Sequence, residues 1–221
     1  MKACLFSGGK DSTLALHKAH DIGINVDLLI TIVSENKNSY MFHYPNSKFT
    51  ELQAEALGKK HLFYSTKGEK EKELDDLKKV LEENNVKTLI TGATYSKYQA
   101  DRINKIAKDL GIEHIAPLWH IDPLEELEEL ARNYEVIVTA VAAEGLDDTF
   151  LGKRIDAELI KRLEDLSKRK GINMLFEGGE AESFVLDAPL FAKKIKIIKA
   201  STSWNGTTGI YAIEEAMLEE K

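Results

Sequence analysis

One cysteine, four prolines and two tryptophans in 221 residues leave little room for several kinds of protein. The single cysteine, Cys4, sits in the apolar run Lys2 to Phe6. Alone it cannot form an internal disulfide, a cysteine-rich zinc site or a two-cysteine sulfur relay, so the expected setting is a reducing one, the cytosol. No apolar run is long enough to span a bilayer, and the first segment turns glycine-rich and charged by Ser7; neither a membrane span nor a signal peptide is expected. Positive charge is in deficit. Thirty Lys and Arg against 37 Asp and Glu give a formal net charge of −7, which disfavours a surface that grips nucleic acid mainly by its phosphates and leaves only a local basic groove open. Repeats and low-complexity tracts are missing too. What is present is 43% hydrophobic residues, enough for an ordinary globular core.

For about the first two thirds of the chain, short apolar runs alternate with charged amphipathic stretches, as strands and helices do in a parallel sheet. Strands are expected at Lys2–Phe6, Val26–Val33, His61–Tyr64, Thr88–Thr91 and Ile112–Ala116. Between them fall helices at Asp11–Ile22 and Phe49–Leu57, each stopped by a glycine, then one near Glu69–Glu83 with Leu74, Leu77 and Leu81 on one face, and one beginning near Ser96. His17 and His20 fall on the polar side of the first helix and require no function. From Asp122 a helix should turn Leu124, Leu127 and Ala131 inward, followed by a strand at Val136–Val141 and a helix with the face Ile155, Leu159, Leu163 and Leu166. The finish differs in kind. Ile195 and Ile197 alternate with Lys194 and Lys196, and Asn205-Gly206 signals a hairpin. The expected fold class is α/β, a Rossmann-like parallel sheet over residues 1–130 with a smaller α+β part, 131–221, ending in an antiparallel hairpin. The two parts should share a cleft, and the long connection Ser34 to Asn46 should serve a site.

The stretch FSGGKDS, Phe6 to Ser12, lacks the spacing of a Walker loop but keeps its physics. Gly8 and Gly9 let successive N–H groups converge on an anion, and the helix start behind them adds partial positive charge. Lys10 adds a full charge, Ser7 and Ser12 offer hydroxyls, and Asp11 can cap the helix or hold a magnesium ion. Taken alone, Gly-Gly also fits a plain strand-to-helix turn capped by Asp11 or Ser12. The full string SGGKDS after an N-terminal apolar strand resembles the pyrophosphate loop, SGGxDS, of the ATP pyrophosphatases. That resemblance implies ATP lying across the carboxyl ends of the strands, split to AMP and pyrophosphate, with Mg2+ as cofactor.

A second motif, EGGEAESFVLDAPLF (Glu177 to Phe191), has two glycines, Gly178 and Gly179, that permit close approach of backbone to substrate. Glu180 and Glu182 are two apart, so in an extended segment they point to one side, where they can hold magnesium, orient ammonium or meet a trimethylammonium group. Asp187 can cap a turn or line the cleft. With SYMFH, GATYSKYQADR, PLWH and GLDDTFLGK, this motif resembles the diphthine-ammonia ligase family over most of the chain. The resemblance implies that the carboxylate of diphthine, a modified histidine on translation elongation factor 2, is adenylated by ATP and then amidated by ammonium. It also implies nucleotide contacts at His43, Gly92, Tyr98, Gln99 and Arg102, although Tyr98 and Arg102 four apart also fit an ordinary surface pair. Where the family usually has an aromatic residue and threonine, this chain has Ala181 and Ser183. No glutaminase segment and no long C-terminal extension are seen, so ammonium is expected free or from a separate supplier, and a homodimer is possible. Two alternatives stay open: a pyrophosphatase that modifies tRNA, and an adenine-nucleotide-binding protein without chemistry.

Overall fold

A computed structural model of the chain describes residues 1–34, 46–66 and 72–221. Five strands, β1 (Lys2–Leu5), β2 (Leu28–Ser34), β3 (Lys60–Thr66), β4 (Thr88–Ile90) and β5 (Glu113–Ile115), form a parallel sheet in the order β3-β2-β1-β4-β5. The inner strands read as continuous apolar runs because helices cover both faces of the sheet. On one face, Cys4, Leu29 and Ile90 pack against Leu14 and Ala15 of α1 (Lys10–Asp21) and Ala54 of α2 (Thr50–Leu57). On the other, Ala3, Ile30 and Leu89 meet Leu77 and Leu81 of α3 (Lys72–Glu83) and Ile103 and Ile106 of α4 (Lys97–Leu110). The chain winds outward from β1 to β3, then returns to place β4 on the other side of β1. That reversal opens a crevice at the carboxyl ends of β1 and β4, where ligands of such sheets bind.

Four further strands, β6 (Glu135–Val141), β7 (Ala181–Asp187), β8 (Lys194–Trp204) and β9 (Gly209–Glu219), make an antiparallel sheet in the order β7-β6-β9-β8. The expected hairpin is present: Trp204 faces Gly209 across it, and the Asn205 side chain accepts N–H bonds from Thr207 and Thr208 at 3.0 and 2.8 Å. Between β6 and β7 the register slips at Val138/Ala140, so Thr139 is the extra residue of a bulge, a device that re-aims side chains. Helix α6 (Ala157–Lys170) contributes Leu159, Ile160 and Leu163 to the core. Apolar residues of both sheets belong to one cluster, from Cys4 and Phe6 to Phe184, Val185 and Ile213.

Helix α5 (Pro123–Asn133) joins the sheets. Asp122 caps it, accepting from the N–H groups of Leu124 and Glu125 at 2.9 and 3.0 Å, with Pro123 in the first turn. Its inward face differs from the expected one. Leu127 is buried as expected, but Leu124 is 36% exposed and the helix turns Glu126 and Leu130 inward. The reason is electrostatic, since Glu126 meets Lys10 there. His17 is likewise not on a polar side. It is buried, with Nδ1 bonded to the Thr13 carbonyl at 2.8 Å and Nε2 accepting from the Leu190 N–H at 3.1 Å. Those two bonds define a neutral ring that ties α1 to the chain after β7, and burial lowers its pKa.

Candidate active site

The loop after β1 is closed from within. Phe6 N–H completes the ladder to Ile30 at 2.8 Å, and the Thr13 N–H on the Gly9 carbonyl, at 3.2 Å, starts α1. Ser12 Oγ donates to that same carbonyl at 3.2 Å and accepts from the Ser7 N–H at 3.3 Å. Neither Asp11 nor Ser12 caps the helix, because the N-cap is Gly9, which has no side chain to do so, and the Ser7 hydroxyl accepts the Gly9 N–H at 3.3 Å. A helix start behind two glycines is the arrangement that receives an anion. Gly8 has φ +81, and a Cβ on it would run into the Gln53 side chain. Gln53, wholly buried in α2, holds the Gly8 and Val185 carbonyls at 2.9 and 2.7 Å.

Val185 in turn donates its N–H to the Gly8 carbonyl at 3.0 Å, and the Ser183 hydroxyl accepts the Lys10 N–H at 3.1 Å. The glycine loop and the EGGEAES strand therefore form a single unit. Gly92, at the end of β4, completes it: a Cβ there would lie 2.6 Å from the Asp11 carbonyl carbon. Around this unit lies a cavity of about 370 Å³, walled by Ser7, Gly9, Lys10, Asp11 and Ser12, by Gly92 and Gln99, and by Glu177, Gly179, Ala181 and Glu182.

Lys10 is 1% exposed and pairs with both Asp11 and Glu126, the latter at 3.2 Å and fully buried. Burial alone would lower the lysine pKa, but the two carboxylates more than offset it and hold the ammonium charged. One cation shared by two acids leaves the deeper acid short of full compensation, and burial raises the Glu126 pKa against the pull of Lys10. Its Oε2 is buried without a hydrogen-bond partner among the described residues. On the far wall, Glu177 accepts from the Thr94 hydroxyl and is raised by burial. Glu182 is raised to about 7, first by burial and then by the charge of Asp11.

Most of the residues singled out in the sequence line this cavity; several do not. Glu180 and Glu182 do not share a side. The Glu180 carboxylate turns back on its own loop and accepts the N–H groups of Asn173 and Gly178 at 3.1 and 2.8 Å, which leaves only Glu182 facing the cavity. Asp187 caps a turn, taking the Ala188 N–H at 2.8 Å and pairing with Lys221 at 2.7 Å. The Arg102 guanidinium stacks over the Tyr98 ring at 3.5 Å, and neither residue lines the cavity. His43 lies outside the described residues. Gln53, Glu126, Glu177 and the Ser183 bond were not anticipated. For Glu126 a signal existed, since in PLEELEELARN it falls on the same helical face as Leu127 and Leu130.

A parallel sheet with a glycine loop leading into a helix at its switch point defines an α/β protein of the nucleotide-binding class. Comparison with known families narrows the class. Residues 1–114 match the diphthamide synthase N-terminal domain and residues 122–218 the diphthamide synthase C-terminal domain. The diphthine--ammonia ligase of Bos taurus is 33% identical over 217 residues, covering 87% of this chain and 81% of that one. Its counterpart in Homo sapiens is 32% identical with the same coverage. The chain belongs to the diphthamide synthase family.

Proposed function

We propose that this chain is an AMP-forming amide ligase, converting the diphthine carboxylate of translation elongation factor 2 to the amide of diphthamide with ATP and ammonium. The observation that carries the reading is the Lys10 N–H to Ser183 hydroxyl bond, which joins the anion-receiving loop to the carboxylate-bearing strand in one cavity. In this reading Ser7 to Ser12 hold the ATP phosphates, and Lys10 supplies positive charge at the base of the loop. A carboxylate oxygen of diphthine attacks the α-phosphorus, and the bond to the β-phosphate breaks with its electron pair leaving on pyrophosphate. The nitrogen of ammonia then attacks the acyl carbon, the carbon–oxygen bond to AMP breaks, and AMP departs.

No nucleophile of the chain is needed. Cys4 is wholly buried and its thiol is pushed up to about 12, so it cannot act as one. Among the described residues no three His, Cys, Asp or Glu side chains converge as a metal cage, yet magnesium commonly binds through one or two carboxylates together with substrate phosphates. Asp11, whose side chain is 31% exposed at the cavity, fits that pattern, and the ion would neutralise phosphate charge there. Among the described residues no helix is long and apolar enough to cross a membrane. The acidic net charge of −7 disfavours the tRNA-modifying alternative.

The test is incubation with Mg-ATP, ammonium and elongation factor 2 in its diphthine form, followed by assay of AMP and of the mass change from acid to amide. Both should appear, and both should vanish in Lys10→Ala. AMP formed only when tRNA replaces the factor would sink the reading.

A further inference from the structure

We propose that Glu182, with the hydroxyls of Thr139 and Ser47, holds the ammonium ion consumed in the amidation, in a crevice behind the phosphate loop. This inference rests on the amide-ligase reading and adds to it the seat of the nitrogen donor.

A second, much smaller space adjoins the main cavity. It is lined by Ser7, Asn46, Ser47, Thr139, Glu182, Ser183 and Phe184, and Ser7, Glu182 and Ser183 line the main cavity as well. The two spaces therefore share a wall built from the loop and β7. Around this wall the oxygen acceptors outnumber the cations. Asn46 is already committed, its Nδ2 to the Tyr211 carbonyl at 3.0 Å and its Oδ1 to the Ile213 N–H at 2.9 Å. The Ser7 hydroxyl pairs with that of Ser12 at 3.2 Å and the Ser183 hydroxyl accepts the Lys10 N–H at 3.1 Å, which leaves the hydroxyls of Ser47 and Thr139 and the Glu182 carboxylate. Of the three acids lining the main cavity, Asp11 is paired with Lys10 and Glu177 accepts from Thr94, whereas the Glu182 carboxylate has no hydrogen-bond or ion-pair partner among the described residues. A half-buried carboxylate without a partner carries part of the cost of desolvation, and a small cation beside it offsets that cost.

Size selects which cation. The crevice measures about 10 Å³, close to the roughly 10–15 Å³ needed for one water molecule. Ammonium has nearly the size of water and donates four hydrogen bonds in tetrahedral directions, which suits a space lined by one carboxylate and by hydroxyls. A trimethylammonium group is several times too large, and magnesium keeps several of its waters and binds with substrate phosphates, which a space for one water does not admit, so of the cations this reaction brings, the crevice takes the nitrogen donor. The bulge at Val138/Ala140 gives the placement a structural cause. Thr139 stands between the pairs Val138–Ser183 and Ala140–Glu182, opposite the two residues that form the wall, and it is 2% exposed. A regular strand would alternate Thr139 away from its neighbours' face. Glu182 lies close enough to neutrality, its pKa raised to about 7 by burial, to accept a proton from ammonium. Ammonia so released attacks the acyl adenylate; its second surplus proton leaves with AMP to solvent, and Glu182 returns its own to water.

Thallium(I) matches ammonium in charge and radius and is strongly visible to X-rays, so crystals soaked in a thallium salt test the seat directly. A peak about 3 Å from both the Glu182 carboxylate and the Thr139 hydroxyl is expected; a crevice with water only overturns the proposal. In solution, Glu182→Gln should raise the KM for ammonium about tenfold or more while moving the KM for ATP less than about threefold, since a hydrogen bond to a charged group is at stake. Thr139→Val should raise the ammonium KM by a smaller factor, and melting temperatures verify that both variants fold. An unchanged ammonium KM in Glu182→Gln, or an equal rise in both KM values, overturns the assignment. Failure of the wild-type chain to make AMP and amide would instead sink the ligase reading, and thallium in the crevice would then still support a monovalent-cation site.

Discussion

Lys10 keeps its charge where water scarcely reaches it because Asp11 and Glu126 share it. Removing Glu126 would leave the lysine one partner and open a void under the loop. Glu126→Ala is therefore expected to lower folding stability by about 2–3 kcal/mol, less than the loss of a sole buried partner. Glu126→Gln keeps the volume and an acceptor oxygen, and should cost about 1 kcal/mol. Urea denaturation of the two variants decides the matter; equal losses would mean that packing, not charge, is what Glu126 supplies. At this scale the sequence was legible wherever residue type alone limits the chemistry. SGGKDS names its own lysine and serines, while Gln53 is one glutamine in an amphipathic helix, and nothing local says that it will bridge the carbonyls of Gly8, 45 residues before it, and Val185, 132 residues after it.

The element that holds the site is the junction of the β1–α1 loop with β7, and Gly92 is its tightest point. A Cβ at Gly92 would stand 2.6 Å from the Asp11 carbonyl carbon and 2.7 Å from the Ser12 nitrogen, and both are backbone atoms that cannot swing aside. Gly92→Ala should lower stability by about 2–3 kcal/mol and weaken ATP binding at least tenfold, because the first turn of α1 must move. Gly111→Ala is the control. At Gly111, with φ +63 and nothing within 4 Å of an added Cβ, the cost is backbone strain of about 1 kcal/mol, and ATP binding should hold. Melting temperature and nucleotide titration on the two variants check this; equal losses of binding would refute the argument. The alternation of strand and helix was readable from periodicity because the inner strands β1, β2 and β4 are covered on both faces. The Glu180 and Glu182 pair was misread for a local reason: β7 starts at Ala181, so Glu180 belongs to a turn and satisfies that turn's amides.

The molecule as a whole unfolds around one core that both sheets contribute to, so a single cooperative transition is expected. Its pH dependence follows from groups buried in that body. Glu182 has a folded pKa of about 7 against an ordinary value of 4.5, so between those values the folded chain holds a proton that the unfolded chain has released. Stability from this group therefore falls as pH rises through that window. His17 has the opposite sign. Burial lowers its pKa below 6.5, so the unfolded chain takes up a proton first and stability falls as pH drops beneath that value. Glu182→Gln should thus gain on the wild type between about pH 5 and about pH 8, as read from urea midpoints; a constant difference would mean that the carboxylate is not desolvated in the fold. The order of elements, the phosphate loop and the second motif were determined by the sequence itself, because glycines, charges and apolar periods act within a few residues of where they stand. Tertiary structure alone decided that Glu126 would neutralise Lys10, that Ser183 would meet the loop, and that Glu182 would face the cavity without Glu180. Those outcomes depend on which distant segments share a desolvated space, and the cost of burying charge sets their pairing.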